Sequence, residues 1–316
     1  MQPLSPASGE VSATEPSTGS VATPLGGKPR FSWEPYLYLL PGFLVFTIFV
    51  AIPVAGTVVL SLTAWNGISW NTAEFIWFDN YLTAFKDGAF WGSLWNNLKL
   101  LPFFVLLPAV LGLIPAVIVH QGKIRGEKFF QAGLFLPYIM PGVLIGVVWR
   151  WLLNPVFGPV NDVLKFFHLP TRSWLGDFTW ALPTVGAIGA WAAYGFCYVV
   201  FIAGLQKIPS DLYEAARLDG AGGWQEFIAV SLPGLRREIA VVMAVNLIAA
   251  LRAFDVIRAT TDGGPGFETR VLALYMINVA FSANRAGYGT ALAVLMAVVT
   301  LALSTLVLRF LGERDD

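Results

Sequence analysis

The chain has 316 residues, of which 56% are hydrophobic and 13% are Asp, Glu, Lys or Arg, and its formal net charge is zero. This charged share is about half of the roughly 25% that is usual in soluble domains. Balanced charge leaves no basic face for a nucleic acid, so nucleic acid is excluded as a partner. The composition predicts an all-α integral membrane protein whose surroundings are a lipid bilayer.

Residues able to carry chemistry are scarce in this sequence. The single cysteine, Cys197, excludes an intrachain disulfide, and His120 and His168 lie too far apart in the chain for a metal site. The sequence has no Gly-x-x-x-x-Gly-Lys-Ser/Thr loop for nucleotide phosphates. We therefore expect no catalytic residue, no metal and no cofactor on this chain, and any ATP must bind to another chain.

Residues 1–30 differ from the rest of the chain, because they are rich in Ser, Thr, Pro and Gly and poor in large apolar groups. Such a segment cannot bury enough apolar surface to offset the entropy that is lost on ordering. It also lacks the charged and then apolar pattern that ends in a cleavage site. We predict a disordered cytoplasmic tail here rather than a signal peptide.

Six apolar runs are long enough to cross a bilayer as helices. A hydrocarbon core of about 30 Å needs about 20 apolar residues, and backbone polar groups in lipid must be paired within the protein. The runs lie at about 36–62, 94–119, 131–153, 181–206, 237–256 and 287–311. Prolines interrupt several runs, at Pro41, Pro53, Pro102, Pro108, Pro115, Pro137, Pro141 and Pro183. They are either tolerated kinks or points at which the bundle opens a cavity.

The distribution of Lys and Arg predicts the orientation. With both termini in the cytoplasm, eleven of these residues fall inside, six fall outside, and Lys99, Arg150 and Arg252 lie in or beside spans. The predicted organisation is a disordered tail at 1–30, a first span with its outer loop at 31–93, a core of five spans at 94–311 and a cytoplasmic tail at 312–316. The loop at 207–236 then faces the cytoplasm.

This cytoplasmic loop carries a first short helix. Pro209 ends the fourth span, and Ser210 or Asp211 can cap a new helix, with Glu214 three residues after Asp211 as a capping partner. Asp219-Gly220 is expected to end that helix.

A second amphipathic stretch follows from Trp224 to Leu232, and Pro233 is expected to close it. Two short helices at an angle would form a knob that another surface can grip. Glu214 and Arg217 could pair across such an interface. The alternative is an ordinary amphipathic loop that lies on the membrane.

The spacing within this loop is specific. Glu214-Ala215-Ala216 is followed after three residues by Gly220, and after nine more by Val230-Ser231-Leu232-Pro233. This pattern resembles the signature loop of ATP-binding-cassette importer permeases, which usually have Ile where Val230 stands. In that family the segment seats in a groove of the ATPase subunit. The resemblance implies a coupling segment at 209–233, with contacts to the ATPase from Glu214, Ala215, Ala216, Asp219, Gly220, Leu232 and Pro233.

Other segments extend the resemblance over the chain from about Trp33 to Phe310. The stretches 136–141, 148–155, 254–257, 261–265 and 286–291 are similar to corresponding parts of carbohydrate-type permeases. The resemblance implies six transmembrane helices of the type I importer architecture in a bacterial inner membrane. It implies as partners a second, distinct permease subunit, two ATPase subunits that hold ATP and Mg, and an extracytoplasmic solute-binding protein. The implied solute is a di- or oligosaccharide, with sn-glycerol-3-phosphate as the alternative.

A polar solute must be met by polar groups near the midplane of the membrane. The candidates are Asn97, Tyr194, Asn246, Arg252 and Asp255. Structural alternatives stay open for them, because Asn246 could join two helices and Arg252 could pair with Asp255 across one turn. Only Arg252 offers a cation in this set, which favours a neutral sugar over a phosphate.

The segment Gly263-Gly264-Pro265-Gly266 predicts a defined turn in an outer loop. The resemblance places this turn near the binding protein or the mouth of the cavity, and a plain connection is the alternative.

Three other protein classes compete with a permease. An integral-membrane enzyme would need clustered acids, His or Cys at membrane depth, and the sequence has none. An ion-coupled carrier would usually have more spans or an isolated intramembrane carboxylate, for which Asp255 alone qualifies. A channel subunit with its pore between copies is the most remote alternative.

Overall fold

The computed structural model describes residues 34–122 and 127–312. The tail expected at 1–30 and residues 313–316 of the expected C-terminal tail lie outside these ranges. Within them the chain is nearly all helical, with no strand beyond an isolated bridge between Thr63 and Phe75. The all-α membrane fold that the sequence predicts is thereby confirmed. The chain divides into two units, Met1–Ala51 and Ile52–Asp316, which are described separately.

The first unit contains helix α1 (Glu34–Phe46) and a π-helical turn at Thr47–Ala51. The second unit begins with α2 (Ile52–Ser61), a 3₁₀ turn (Trp70–Thr72), α3 (Asp79–Lys86), α4 (Gly88–Leu101), a π turn (Pro102–Leu106), α5 (Leu107–Gln121), α6 (Glu127–Ile139), α7 (Gly142–Leu152), α8 (Pro159–Phe166) and α9 (Ala181–Leu205). It continues with α10 (Ser210–Leu218), α11 (Gly223–Glu226), a π turn (Phe227–Ser231), α12 (Leu232–Gly234), α13 (Arg236–Leu251), α14 (Asp255–Thr260), α15 (Leu272–Ile277), a π turn (Asn278–Ser282) and α16 (Ala286–Gly312).

Four helical stretches in the described ranges have the length and composition to cross a membrane: Tyr36–Ser61, Gly88–Gln121, Ala181–Leu205 and Ala286–Arg309. A fifth span exists if the bent pair Phe129–Ile139 and Gly142–Leu152 counts as one, with an angle of 97° between its halves. The run at 131–153 is therefore broken at one of the prolines that the sequence offered as kinks or as points where a cavity opens. Pro141 precedes α7 with extended backbone (ψ 136°), and a proline cannot donate the hydrogen bond that would continue α6.

The run expected at 237–256 is also divided. Helix α13 has 16 residues and ends before Arg252, and α14 starts again at Asp255. The stretch between α13 and α16 is partly helical, because it contains α14 and a short apolar helix at Leu272–Ser282 that comprises α15 and the π turn after it. At the second break a side chain holds the backbone, because Asn97 Nδ2 donates to the carbonyls of Ala250 and Leu251.

Helix α9 forms the centre of the second unit. Its buried residues Cys197, Tyr198 and Phe201 form a core with α5 and α13. Glycines allow this close packing: a Cβ at Gly195 would lie 2.6 Å from the Leu134 carbonyl oxygen, and one at Gly112 would lie 2.6 Å from Cys197 Cβ. Small residues at such crossings are the usual means by which membrane helices approach one another.

A carboxylate joins three helices beside the start of α4. Asp87 Oδ1 accepts a hydrogen bond from Ala89 N at 2.8 Å, and its Oδ2 accepts from the hydroxyls of Tyr275 (2.5 Å) and Tyr288 (2.7 Å). Burial raises the pKa of this carboxyl, but the hydrogen bonds that it accepts outweigh burial and leave its pKa below the ordinary value. Asp87 therefore remains an acceptor that holds α15 and α16 against α4.

Candidate coupling segment and membrane groove

The segment 209–233 begins with α10, which starts four residues after the end of α9. Its N-cap is Pro209, and no side chain caps the helix. The expected capping by Ser210 or Asp211 is therefore wrong, because the extended backbone of Pro209 (ψ 135°) already places Ser210 inside the helix. Instead, the Ser210 hydroxyl lies 3.4 Å from Asp211 Oδ1.

Helix α10 ends where the sequence indicated, at Asp219-Gly220. Gly220 has φ +83°, its N–H donates to the Arg217 carbonyl at 3.0 Å, and Ala221 N donates to the Ala216 carbonyl at 2.9 Å. This pair of bonds is the Schellman ending, in which the left-handed residue is usually glycine. A Cβ at Gly220 would meet no atom within 4 Å. The requirement for glycine here is therefore conformational rather than steric.

The second half of the segment continues beyond the expected end at Pro233. It runs from Gly223 through the π turn Phe227–Ser231 to Gly234. Pro233 lies inside this helical run because the wide turn before it, in which Leu232 N donates to Phe227 O, accommodates a residue without an N–H. The N-terminus of this run is closed by Gln225 Oε1, which accepts from Gly222 N at 2.8 Å.

Two side-chain pairs lock the halves of the segment together. Arg217 Nε donates to Glu226 Oε1 at 2.8 Å and its Nη2 donates to Oε2 at 3.3 Å, and the Glu226 side chain is buried. The hydrogen bond to Glu226 raises the pKa of the Arg217 guanidinium. The Tyr213 hydroxyl lies 3.0 Å from Ser231 Oγ, and both residues are buried. Arg217 therefore acts within the segment instead of across an interface as the sequence suggested.

The residues expected to contact an ATPase lie on the outside of the segment 209–233, which we call the knob. Glu214, Ala215, Asp219, Gly220, Leu232 and Pro233 are exposed, and Ala216 is half-buried. Two further apolar side chains project with them, Leu218 at 89% and Trp224 at 71% exposure. Sequence reasoning did not single out either side chain. The sequence feature that could have indicated them is a large apolar residue on each side of the glycine turn. No other described part of the chain covers these side chains.

A groove opens where the two helix breaks meet. The turn between α6 and α7 faces the break between α13 and α14 across a cavity of about 520 Å³. Its described charged lining residues are Arg252 and Asp255, and its aromatic ones are Phe104, Tyr138 and Phe254. The remaining lining is Pro137, Met140, Gly142, Ile145, Gly189, Ala192, Ala193, Val245, Ile248, Ala249, Ala253 and Val256.

Arg252 and Asp255 do not pair with each other. Both are exposed, and no ion pair joins them in the part of the chain that the structure describes. Pairing across one helical turn requires a continuous helix, and the chain leaves helical geometry at Ala253 and Phe254. Asp255 instead lies over Gly142, where a Cβ would be 3.0 Å from Asp255 Cβ.

The other three predicted path residues lie away from the groove. Asn97 is 1% exposed; its Nδ2 donates to the carbonyls of Ala250 (3.3 Å) and Leu251 (3.2 Å), and its Oδ1 accepts from Leu272 N at 2.8 Å. Asn246 is buried and its Nδ2 lies 3.2 Å from Cys197 Sγ. Tyr194 is half-buried in α9. Asn97 and Asn246 thus connect helices in this structure.

The outer turn at 263–266 has the defined geometry that its glycines predicted. Gly263 and Gly266 have φ of +83° and +54°. The hydroxyl of Thr269 donates to the Gly264 carbonyl at 2.7 Å and lies 2.7 Å from the hydroxyl of Thr261. Asn96 holds the end of the loop, because its Nδ2 donates to the carbonyls at 267 (3.2 Å) and 270 (3.1 Å).

An exposed helical knob after one span and a largely apolar groove that carries Arg252 and Asp255 at two helix breaks are features expected of a membrane transport subunit. The family model described as "Binding-protein-dependent transport system inner membrane component" matches residues 99–314. The chain belongs to this family.

Named relatives and a solved structure agree with this assignment. The chain is 35% identical to the probable ABC transporter permease protein YurN of Bacillus subtilis, over 87% of this chain and 95% of that protein. It is 34% identical to the diacetylchitobiose uptake system permease protein NgcF of Streptomyces coelicolor, over 89% and 85%. A crystal structure of a bacterial ABC transporter involved in the import of the acidic polysaccharide alginate matches with a TM-score of 0.77 at 25% identity, over 90% of this chain and 96% of that chain. The permease architecture is thereby confirmed.

Proposed function

We propose that this chain is the permease subunit of an ATP-driven, binding-protein-dependent importer whose solute is a di- or oligosaccharide. The observation that carries the proposal is the exposed, internally locked knob at 209–233 in a member of this transport family. The sugar assignment is supported by the relative named as a diacetylchitobiose permease. In this reading ATP and Mg bind to partner ATPase subunits, and the chain itself catalyses no reaction.

The knob transmits movement of the ATPase into the spans. It follows α9 after four residues, and Lys207 Nζ donates to Glu238 Oε1 at 3.0 Å, which ties the end of α9 to α13. A force on α10 would therefore reach both helices together. Glu214 pairs with a basic group of the ATPase, while Leu218 and Trp224 fill an apolar part of the ATPase surface that receives the knob.

The groove at the helix breaks is the solute path. Its lining residues Gly189 and Ala193 lie eight and twelve positions after the start of α9, a 25-residue helix. At about 1.5 Å per residue, the groove is roughly 12–18 Å from that end, close to the middle of the span. Solute sites at unwound helices near the midplane are the common arrangement in transporters.

The lining of the groove favours a neutral sugar. Arg252 and Asp255 supply opposite charges that balance, and they can donate to and accept from hydroxyl groups. The rings of Phe104, Tyr138 and Phe254 suit the apolar face of a sugar. A phosphate-bearing solute such as sn-glycerol-3-phosphate would meet the Asp255 carboxylate beside a single guanidinium.

The remaining partners follow from the same proposal. A second, distinct permease subunit closes the open side of the groove, and an extracytoplasmic binding protein delivers solute near the turn at 263–266. The chain lies in a bacterial cell membrane with both termini in the cytoplasm, in agreement with the excess of Lys and Arg on that side.

The test is ATPase activity of the reconstituted complex, made from this chain, the second permease, the ATPase and the binding protein, against a panel of oligosaccharides and sn-glycerol-3-phosphate. We expect one oligosaccharide to stimulate ATP hydrolysis and Glu214→Ala to abolish that stimulation. Glu74→Ala, an exposed carboxylate outside both the knob and the turn at 263–266, is the matched control and should leave stimulation unchanged. Failure of the chain to assemble with any ATPase would contradict the proposal.

A further inference from the structure

A second cavity lies beside the start of α9, apart from the groove and the knob. It has a volume of about 380 Å³, within the range of roughly 300–1,000 Å³ that ligand pockets occupy. Its wall is largely aromatic and aliphatic and includes Phe103, Trp149, Leu153, Trp174, Trp180 and Ile188. We call it the tryptophan cavity. Ala187, which also lines it, is exposed on the side of α9 and marks its mouth.

The wall of the tryptophan cavity suits a hydrocarbon chain better than a sugar. Thr184 carries the one hydroxyl among the described lining residues. Trp174 Nε1 already donates to Asn161 Oδ1 at 3.0 Å, and Trp149 Nε1, buried without a hydrogen-bond partner in the described ranges, offers a single further donor. A sugar would leave several hydroxyl groups without partners here, and unpaired buried polar groups are costly. An acyl chain has no such groups.

A cationic group stands at the edge of this cavity. The Arg172 guanidinium carbon lies 4.7 Å from the centroid of the Trp180 ring, and the Arg172 side chain is exposed. The backbone at this position is held by Asn161, whose Nδ2 donates to the Arg172 carbonyl at 2.9 Å. The guanidinium thus lies next to an apolar cavity, on a loop whose backbone is held, and its donors match a phosphate.

The position of the cavity along the membrane fits a lipid. Its α9 residues fall between Pro183 and Ile188, near the start of a helix whose far end leads into the knob. The cavity therefore lies towards the membrane surface opposite the knob, where indole rings are favoured.

We propose that the tryptophan cavity binds a membrane phospholipid, with one acyl chain inside and the phosphate on Arg172. This site is separate from the solute path and does not depend on which solute is carried. Bound lipid would fill the space between α7, α9 and the loop around Trp174, and would hold these elements at a fixed spacing.

The test uses the full chain in its purified complex and native mass spectrometry with added phosphatidylglycerol. We expect one tightly held lipid that Ala187→Phe removes by filling the mouth. Arg172→Gln should lower its affinity by about fivefold or more, the effect of removing one surface cation from a lipid headgroup. Val199→Phe, which adds the same ring at another exposed position of α9, should retain the lipid.

Several results would overturn the proposal. Equal retention of lipid by wild type, Ala187→Phe and Arg172→Gln would show that the bound lipids lie elsewhere. Binding of inorganic phosphate that depends on Arg172 but is indifferent to Ala187→Phe would identify a phosphate site instead. Binding of maltotriose that Ala187→Phe blocks would identify a sugar site. Because Arg172 is exposed, its substitution gives a readout even if the larger ring disturbs folding.

Discussion

At the scale of single residues, most polar side chains that the sequence offered for solute contact hold the protein together. Asn97 and Asn246 are buried and bonded within the chain, as the structural alternative required. The same holds in the knob, where the Arg217 side chain forms an internal hydrogen bond to Glu226, nine residues away. A buried carboxylate needs such a partner, since its charged form is unfavourable away from water.

The Arg217–Glu226 pair gives a prediction at this scale. Arg217→Ala leaves Glu226 charged and buried without its bidentate partner, so the two halves of the knob should separate more often. We expect cleavage by chymotrypsin at Tyr213, Trp224 and Phe227 to accelerate several-fold in the detergent-solubilised complex. The double variant Arg217→Ala/Glu226→Gln removes the unpaired charge and should recover most of the resistance. Equal cleavage of wild type and Arg217→Ala would mean that the Tyr213–Ser231 contact alone suffices.

At the scale of elements, the two helix breaks are the decisive feature. Helices α7 and α14 pack closely because α7 presents glycines to α14: a Cβ at Gly146 would lie 2.4 Å from Ala259 Cβ and 3.2 Å from the Val256 carbonyl oxygen. Gly142, one turn earlier, leaves room for Asp255. The close contact therefore fixes where Asp255 stands in the groove.

Enlarging one of these glycines should displace the groove without destroying the fold. Gly146→Leu forces α7 away from α14, and overpacking of this kind typically costs about 1–3 kcal/mol. We expect solute-stimulated ATPase activity to fall strongly while the complex still assembles on size-exclusion chromatography. Gly133→Leu is the matched control, because a Cβ there meets nothing within 4 Å. Full activity of Gly146→Leu would show that transport does not depend on the close contact between α7 and α14.

At the scale of the whole molecule, the groove would be an incomplete path for the proposed solute. Val245, Ile248 and Ala249 line it and are also exposed on α13. A path for a polar solute must be closed from lipid on every side, because polar groups in hydrocarbon are costly. The chain therefore provides one wall, and a second permease subunit is expected to provide the other.

Cysteine labelling can detect that second wall. The native Cys197 is fully buried and should not react, so Ala249→Cys reports on the groove alone. We expect N-ethylmaleimide to label Ala249→Cys rapidly in the separated chain and several-fold more slowly in the assembled complex. Ala283→Cys, at an exposed position after the π turn 278–282, should label at the same rate in both. Unchanged labelling at 249 would place the partner on another face.

The sequence by itself determined the membrane environment, the helical class, the knob and its glycine ending. These depend on the length of apolar runs, on Pro and Gly, and on spacings within about twenty residues, all of which act locally along the chain. Only the tertiary structure decided which polar residues face the groove, because that depends on how helices far apart in sequence pack. Asn97 meets residues 153 and 175 positions away, and the α6–α7 bend faces a break more than a hundred residues later. Such contacts leave no periodic mark in either segment.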